Sequence, residues 1–157
     1  KRTIFIATQP QNERNRNTAE AALVKLLIEQ LYPVFDPNNA QDSIGVITPY
    51  RTQIAEIKQH LHQYPAVLVD TVERYQGGQK NAIIVSLAVN SIAQLKNLHV
   101  LNEDGTVDKK LNVTLTRAKE YLIILGCPQI LMQSPVYRQL INHYRQNDAF
   151  FTLPPND

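Results

Sequence analysis

Three polar segments of the chain stand beside apolar runs that are typical of β-strands. They are residues 47–53 (ITPYRTQ), 69–77 (VDTVERYQG) and 111–119 (LNVTLTRAK). The last segment holds Arg117, shortly before the apolar run 121–126, so we expect this arginine at the edge of a sheet. A guanidinium is permanently charged and offers a rigid fork of N–H donors to phosphate oxygens. The third segment therefore predicts a phosphate contact by Arg117, although a surface ion pair would use the same residue type.

A glycine-containing turn ends the second segment. Gln76, Gly77, Gly78 and Gln79 are consecutive there. Glycines let a backbone approach a ligand closely, and glutamine amides both donate and accept hydrogen bonds. The spacing by itself favours a simple connection between two strands. The alternative is that this turn is a loop that contacts a ligand.

Two groups of side chains directly follow predicted strands. Thr48, Pro49, Tyr50 and Arg51 would stand at the carboxyl end of one strand. Such hydroxyl, ring and guanidinium groups hold a phosphodiester backbone without reading its bases, and an aromatic ring can stack on a base. The Thr-Pro pair is also typical of a cap on the following helix, and the two roles are compatible.

Thr71 has the analogous position after the next strand. Arg74 follows three residues later, where it would either contact the same ligand or pair with Glu73 or Asp70 as a structural link. These two interpretations of Arg74 are equally consistent with the sequence.

Strand and helix patterns alternate along the chain. Mostly apolar runs predict strands at 3–7, 44–48, 67–70, 82–89 and 121–126. Helical periodicity predicts helices at 18–31, with Asn17 as N-cap and Glu20 three residues on, and at 52–62 and 135–145. This alternation predicts an α/β fold with a mainly parallel sheet between helix layers. Ligands of such sheets gather at the carboxyl ends of the strands.

Length and composition fit one soluble globular domain of 157 residues. We predict that the domain covers residues 1–150, and that 151–157, with its Pro-Pro pair, is an exit linker. The irregular stretch 91–110 is predicted to be a mobile surface loop, with a functional loop as the alternative. Because 16 basic residues nearly balance 14 acidic ones, giving a net charge of +2, any nucleic-acid partner must be argued from local residues. The single cysteine favours an intracellular setting such as cytoplasm, nucleoid or nucleus.

Several familiar chemical motifs are absent from the sequence. There is no Gly-x-x-x-x-Gly-Lys-Ser/Thr loop and no adjacent Asp-Glu pair after a strand, so we expect no nucleotide hydrolysis by this chain alone. No apolar run approaches the ~18 residues of a membrane span. The four histidines have no metal-ligand spacing, and we predict no metal site; they are His60, His62, His99 and His143. The chain begins with Lys1, so we expect it to start inside a longer protein.

Taken together, the three segments resemble motifs IV, V and VI of superfamily 1 helicases. The branch they resemble most holds the nonsense-mediated-decay RNA helicases and the replication helicase–nucleases. The resemblance covers nearly the whole chain and implies the second, C-terminal RecA-like domain, a three-layer sandwich. It also implies that ATP and Mg²⁺ are bound mainly by a first RecA-like domain upstream, and that single-stranded DNA or RNA is the partner, with movement 5′ to 3′.

The resemblance also implies roles for individual residues. Arg117 would be an arginine finger, a group worth about 10³ to 10⁵ in rate. Gln76, Gly77 and Gln79 would contact the nucleotide, and Thr48 and Thr71 would contact the backbone of a single strand. Many relatives have Gln-Gly-Arg-Glu-Lys-Asp where this chain has Gln-Gly-Gly-Gln-Lys-Asn, so a neutral amide at Gln79 replaces an acidic partner of the ribose or metal. Weaker coupling to ATP is one consequence this departure permits.

Two alternatives remain open at this point. A non-catalytic nucleic-acid-binding or regulatory module could keep the fold and lose the chemistry, as the departures at Gly78 and Gln79 would allow. An unrelated flavodoxin-like domain is disfavoured, because no glycine-rich loop follows the first strand.

Overall fold

The computed structural model describes residues 2–35, 43–72, 74–75, 78–98 and 113–152. Within these residues the chain forms one sheet of six strands, and every neighbouring pair is parallel. The strands are β1 (Arg2–Ala7), β2 (Ile44–Ile47), β3 (Leu68–Asp70), β4 (Lys80–Ser86), β5 (Ala118–Gly126) and β6 (Phe150–Thr152). Their order across the sheet is β3-β2-β4-β5-β1-β6. The predicted α/β class with a parallel sheet is confirmed.

Helices cover both faces of the sheet. They are α1 (Thr18–Leu31), α2 (Arg51–His60), α3 (Ile92–Leu98), α4 (Pro128–Leu131) and α5 (Pro135–Gln146), with a 3₁₀ turn at Tyr32–Val34. α1 and α2 pack on one face through residues such as Val24 and Ile57. α3, α4 and α5 pack on the other face through Leu95, Leu131 and Ile141. Because both faces are covered, the central parts of the strands are continuously apolar, and polar residues such as Lys80 and Lys119 lie near the strand starts.

Several strand bounds differ from the sequence prediction. β5 begins at Ala118, three residues before the predicted start. β4 runs from Lys80 to Ser86, whereas the apolar run predicted a strand over 82–89. Ala88 takes a left-handed conformation with a φ of 51°, and the chain leaves the sheet there. Residues 87–89 are nevertheless buried. They are apolar because they pack in the core beside the sheet, although they do not belong to a strand.

β6 was not predicted from the periodicity. It pairs with β1, so that Phe150 lies opposite Phe5 and Thr152 lies opposite Ala7. The rings of Phe5 and Phe150 stack with their centroids 5.5 Å apart, which is a tertiary contact that no local pattern reveals. Phe151 and Thr152 fall in the segment assigned above to an exit linker, yet they are strand residues. Residues 153–157 lie outside the described residues.

The stretch predicted as a surface loop at 91–110 begins with α3, whose Leu95 is buried in the core. Its remaining part, from residue 99 and including His99, lies outside the described residues. Over the ranges that the structure describes, no helix combines the length and the apolar character needed to cross a bilayer.

Candidate functional site

Arg117 ends a single helical turn that leads into β5. The backbone amides of Thr116 and Arg117 donate to the carbonyl oxygens of Val113 and Thr114, at 3.2 and 3.1 Å. The Arg117 side chain is half-buried, and its Nε atom is buried without a hydrogen-bond partner among the described residues. The arginine therefore lies at the amino edge of the sheet, neither enclosed in the core nor fully exposed.

Gln79 connects this turn to the start of β4. Its side-chain Nε2 donates to the carbonyl oxygen of Thr116 at 2.9 Å, and the backbone amide of Lys80 donates to the carbonyl oxygen of Arg117 at 2.8 Å. Gly78 has a φ of 63°, a conformation that favours glycine. The exposed Gln79 side chain keeps its Oε1 as an acceptor. Gln76 and Gly77, the other predicted nucleotide contacts, lie outside the described residues.

Tyr75 lies in the connection between β3 and β4, and the sequence analysis did not assign it a role. Its ring is buried in the same cluster as Ile83 and Val85, and its hydroxyl has no hydrogen-bond partner among the described residues. A Cβ added at Gly45 of β2 would overlap the Tyr75 hydroxyl oxygen, so the ring fits only because residue 45 is glycine. Burial raises the pKa of Tyr75, and the positive charge of Arg117 partly offsets this.

Thr48 and Thr71 lie side by side at the opposite, carboxyl edge. The backbone amide of Thr48 donates to the carbonyl oxygen of Asp70 at 3.2 Å, which joins the ends of β2 and β3. Thr71 is 7% exposed, but Thr48 is 0% exposed and its buried hydroxyl has no hydrogen-bond partner in the described part of the chain. The predicted cap on α2 is wrong, since Tyr50 is the N-cap residue and no side chain caps the helix. Thr48 also presents no surface to a nucleic-acid strand in this conformation.

The residues after Thr48 are more accessible. Pro49 and Tyr50 are half-buried and Arg51, the first residue of α2, is exposed. The Tyr50 hydroxyl donates to the carbonyl oxygen of Gln94 in α3 at 3.3 Å, and burial raises the pKa of Tyr50 to about 12. Arg74 is exposed as well.

Arg74 forms no ion pair with Asp70 in the described residues, whose ion pairs all lie elsewhere. One oxygen of the Asp70 carboxylate accepts the amide of Thr71 at 2.8 Å. The predicted alternative partner, Glu73, lies outside the described residues. The structure therefore gives no support to a link between Arg74 and Asp70, and the strand-contact interpretation of Arg74 stays a prediction.

A buried carboxylate behind this edge was missed by the sequence analysis. Glu20 is 0% exposed, and its side chain accepts hydrogen bonds from the hydroxyls of Thr8 and Ser86 at 2.7 and 2.8 Å and from the amide of Ala88 at 3.0 Å. Burial raises the pKa of Glu20 to about 7, and the three hydrogen bonds oppose that increase. Glu20 thus joins α1 to the carboxyl ends of β1 and β4.

Gln53 of α2 extends this network. Its side chain accepts from the backbone amide of Asn17 at 2.8 Å, and donates to the carbonyl oxygen of Asn17 and the hydroxyl of Ser86 at 2.9 and 3.0 Å. The predicted N-cap is confirmed, because the Asn17 side chain accepts the amide of Glu20 at 2.9 Å. The Glu20 side chain does not return to the Asn17 amide, as a capping box would require, because Gln53 holds that amide.

The candidate residues thus fall into two groups at opposite edges. Gln79 and Arg117 precede β4 and β5, while Thr71, Tyr50 and Arg51 follow β3 and β2. Six residue steps along β4 separate the edges by about 20 Å. The expectation that ligands gather at the carboxyl ends therefore applies only to the second group, because a residue before a parallel strand lies at the amino edge.

The residues at the amino edge offer hydrogen-bond donors and an acceptor suited to an anionic ligand. Arg117 supplies the charged N–H donors that phosphate oxygens prefer, and Gln79 supplies an exposed amide oxygen. No cluster of three or more His, Cys, Asp or Glu side chains able to hold a metal ion occurs among the described residues.

Comparisons with known proteins bear on the family and the fold of this chain. The family described as AAA domain matches residues 3–129. The chain is 37% identical over 150 residues to the DNA replication ATP-dependent helicase/nuclease DNA2 of Bos taurus, covering 90% of this chain and 13% of that protein. It is 33% identical over 150 residues to the Regulator of nonsense transcripts 1 homolog of Arabidopsis thaliana, covering 90% and 11%. The chain thus spans only a small part of these relatives.

A solved structure, the C-terminal domain of a possible DNA helicase from Lactobacillus plantarum WCFS1, has a TM-score of 0.58 to this chain at 13% identity. The match covers 96% of this chain and 84% of that one, and it supports the RecA-like α/β sandwich as the fold. On the family match and the relatives together, the chain belongs to the AAA domain family and is a C-terminal domain of the superfamily 1 helicase type.

Proposed function

We propose that this chain is the second motor domain of an ATP-dependent helicase or translocase that acts on single-stranded DNA or RNA. The observation that carries the proposal is the way Arg117 is held at the amino edge. Its turn is bonded to the start of β4 by both Gln79 and Lys80, and its guanidinium is half-buried with a buried Nε donor left over. Such a fixed cation is what an arginine finger requires, because catalysis gains from donors that need no reorganisation.

At this edge, Arg117 would contact the terminal phosphate and Gln79 would accept from a ribose hydroxyl through its exposed oxygen. Gln76 and Gly77 are proposed nucleotide contacts on family resemblance. Bound ATP with its Mg²⁺, held mainly by a first RecA-like domain, supplies the free energy of phosphoryl transfer. Without that domain the chain would be inactive as an ATPase.

At the carboxyl edge, Arg51 is an exposed cation that suits a phosphodiester backbone, and Thr71 and the half-buried Tyr50 follow neighbouring strands. Arg74, exposed in the connection after β3, is a further candidate contact. Pro49 shapes the turn between β2 and α2. Thr48 would take part only if this edge rearranges, since its side chain is buried. Backbone contacts of this kind hold any sequence, as a translocase needs.

The test uses the full-length protein that contains this chain. We expect Arg117→Ala to reduce nucleic-acid-stimulated ATP turnover by about 10³-fold or more, while binding to a single strand is retained. Lys119→Ala is the matched control, since it removes an exposed cation two residues away in β5. ATP turnover that survives Arg117→Ala unaltered would refute the arginine-finger role.

A non-catalytic nucleic-acid-binding module is the second candidate. It is favoured by one observation, the commitment of the Gln79 amide to the carbonyl of Thr116 at a position where many relatives have an acidic residue. Strand binding by the full-length protein without any stimulated ATP turnover would support this candidate and oppose the motor.

A further inference from the structure

Two buried polar atoms near the amino edge have no hydrogen-bond partner in the described part of the chain. They are the hydroxyl oxygen of Tyr75 and Nε of Arg117. Buried polar groups in folded proteins are nearly always bonded, because each unsatisfied group costs about 1–3 kcal/mol. Two such atoms, one able to accept and one able only to donate, therefore require a common physical explanation.

The Tyr75 ring is held firmly in one place. It is 5% exposed, belongs to the cluster that contains Ile47, Ile83 and Val85, and lies directly against Gly45 of β2. A close-packed ring of this kind keeps its rotamer, so the position of its hydroxyl is fixed by the sheet. The hydroxyl is thus a rigid polar point inside an otherwise apolar layer.

The charge of Arg117 reaches this hydroxyl. Tyr75 shares its buried cluster with Ala118, the residue that follows Arg117, so both groups lie on the same side of the sheet. The positive charge of Arg117 accordingly lowers the pKa of Tyr75 against the larger increase caused by burial. A guanidinium has five N–H donors, and a phosphate held end-on takes only the outer nitrogens, which leaves Nε for another acceptor.

We propose that Tyr75 is a positioning residue for Arg117: one water bridges the Nε–H of Arg117 to the Tyr75 hydroxyl, while the outer nitrogens are presented to phosphate. The inference rests on the proposed function of Arg117. It also explains why Gly45 is needed beneath the ring, since any side chain there would displace the hydroxyl. One water suffices as a bridge when both partners are polar and fixed.

The experiment compares four variants of the full-length protein in strand-stimulated ATP turnover: Tyr75→Phe, Tyr144→Phe, Arg117→Ala and Arg117→Lys. Tyr144→Phe is the matched control, because Tyr144 is 3% exposed in the same cluster and its hydroxyl bonds to Thr3. We expect Tyr75→Phe to lower kcat by about tenfold or more with little change in KM for ATP, because small misplacements of a catalytic group cost up to about 10²-fold. Its melting temperature should change little, since the hydroxyl makes no direct hydrogen bond to a described residue.

A double-mutant cycle tests whether Tyr75 affects kcat through Arg117. In an Arg117→Lys background, which keeps the charge but lacks Nε, Tyr75→Phe should cause no further loss of kcat. If the double variant instead lost kcat by the product of the two single losses, the inference would be overturned. A wild-type kcat in Tyr75→Phe, together with an inactive Arg117→Ala, would overturn it as well. Unaltered turnover in Arg117→Ala would instead overturn the proposed function itself. A loss of kcat in Tyr144→Phe equal to that in Tyr75→Phe would also count against the inference.

Discussion

The side-chain amide of Gln79 donates to the carbonyl oxygen of Thr116 at 2.9 Å, and Thr116 is the residue before Arg117. Gln79 therefore stabilises the turn that ends in Arg117, the proposed arginine finger. An ionised carboxylate could not make this bond, because both it and the carbonyl are acceptors.

Replacing Gln79 tests this relationship. We expect Gln79→Ala to reduce the free energy of unfolding by no more than about 1 kcal/mol, since the bond is exposed, and to lower strand-stimulated ATP turnover by about two- to tenfold through a looser Arg117 turn. Asn81→Ala is the control, because it removes a comparable exposed bond to Glu120 at 3.1 Å away from that turn. Equal turnover in the two variants would contradict the prediction.

The pH dependence of stability follows from Glu20, whose pKa is raised to about 7 in the folded state. Between the ordinary carboxyl pKa and pH 7, the folded state holds a proton that the unfolded state has lost, so the free energy of unfolding falls as pH rises through this window. Ionisation of the buried Glu20 lowers the free energy of unfolding by about 3 kcal/mol above pH 7, and this loss is absent below about pH 4.5.

Glu20→Gln should flatten this slope when urea unfolding of the domain is measured from pH 4.5 to 7.5. Its amide oxygen can accept from Ser86 and Ala88, and its NH₂ can donate to the Thr8 oxygen, so the fold is kept. Glu29→Gln removes the same charge from a partly exposed position on α1 and is the control. An unchanged slope in Glu20→Gln would show that another group causes the dependence.

Arg51 offers a test of the carboxyl edge. We expect Arg51→Ala to weaken single-strand binding by the full-length protein similarly for all sequences, and to reduce the slope of log affinity against log salt by about 1. Binding should be measured between about 50 and 200 mM salt. Lys58→Ala removes the same charge from the other end of α2 and should leave both quantities unchanged.

A loss of folding stability should not account for the weaker binding of Arg51→Ala. Arg51 is exposed in the first turn of α2, where the positive end of the helix dipole slightly disfavours a cation, so its removal is neutral or mildly stabilising. Equal losses of affinity in Arg51→Ala and Lys58→Ala would remove the proposed strand contact from this edge.

Much of the architecture could be predicted because its signals are local. The N-cap at Asn17 and the whole of α1 were read correctly, since capping and helical periodicity depend on residues a few positions apart. The continuous apolar runs likewise indicated strands covered on both faces. β6 could not be predicted because a strand of three residues shows no periodicity. The contact that stabilises it joins Phe150 to Phe5, which lies near the other end of the sequence.

The sequence by itself determined the α/β class, the parallel sheet, the family resemblance and the choice of Arg117, because each depends on residue types and short spacings. Only the tertiary structure decided that Gln79 and Arg117 lie at one edge and Thr71 and Arg51 at the other, that Thr48 is enclosed, and that Tyr75 rests on Gly45. Those outcomes depend on strand order and on the path of the connections between strands, and both are set by pairings between residues far apart in the chain.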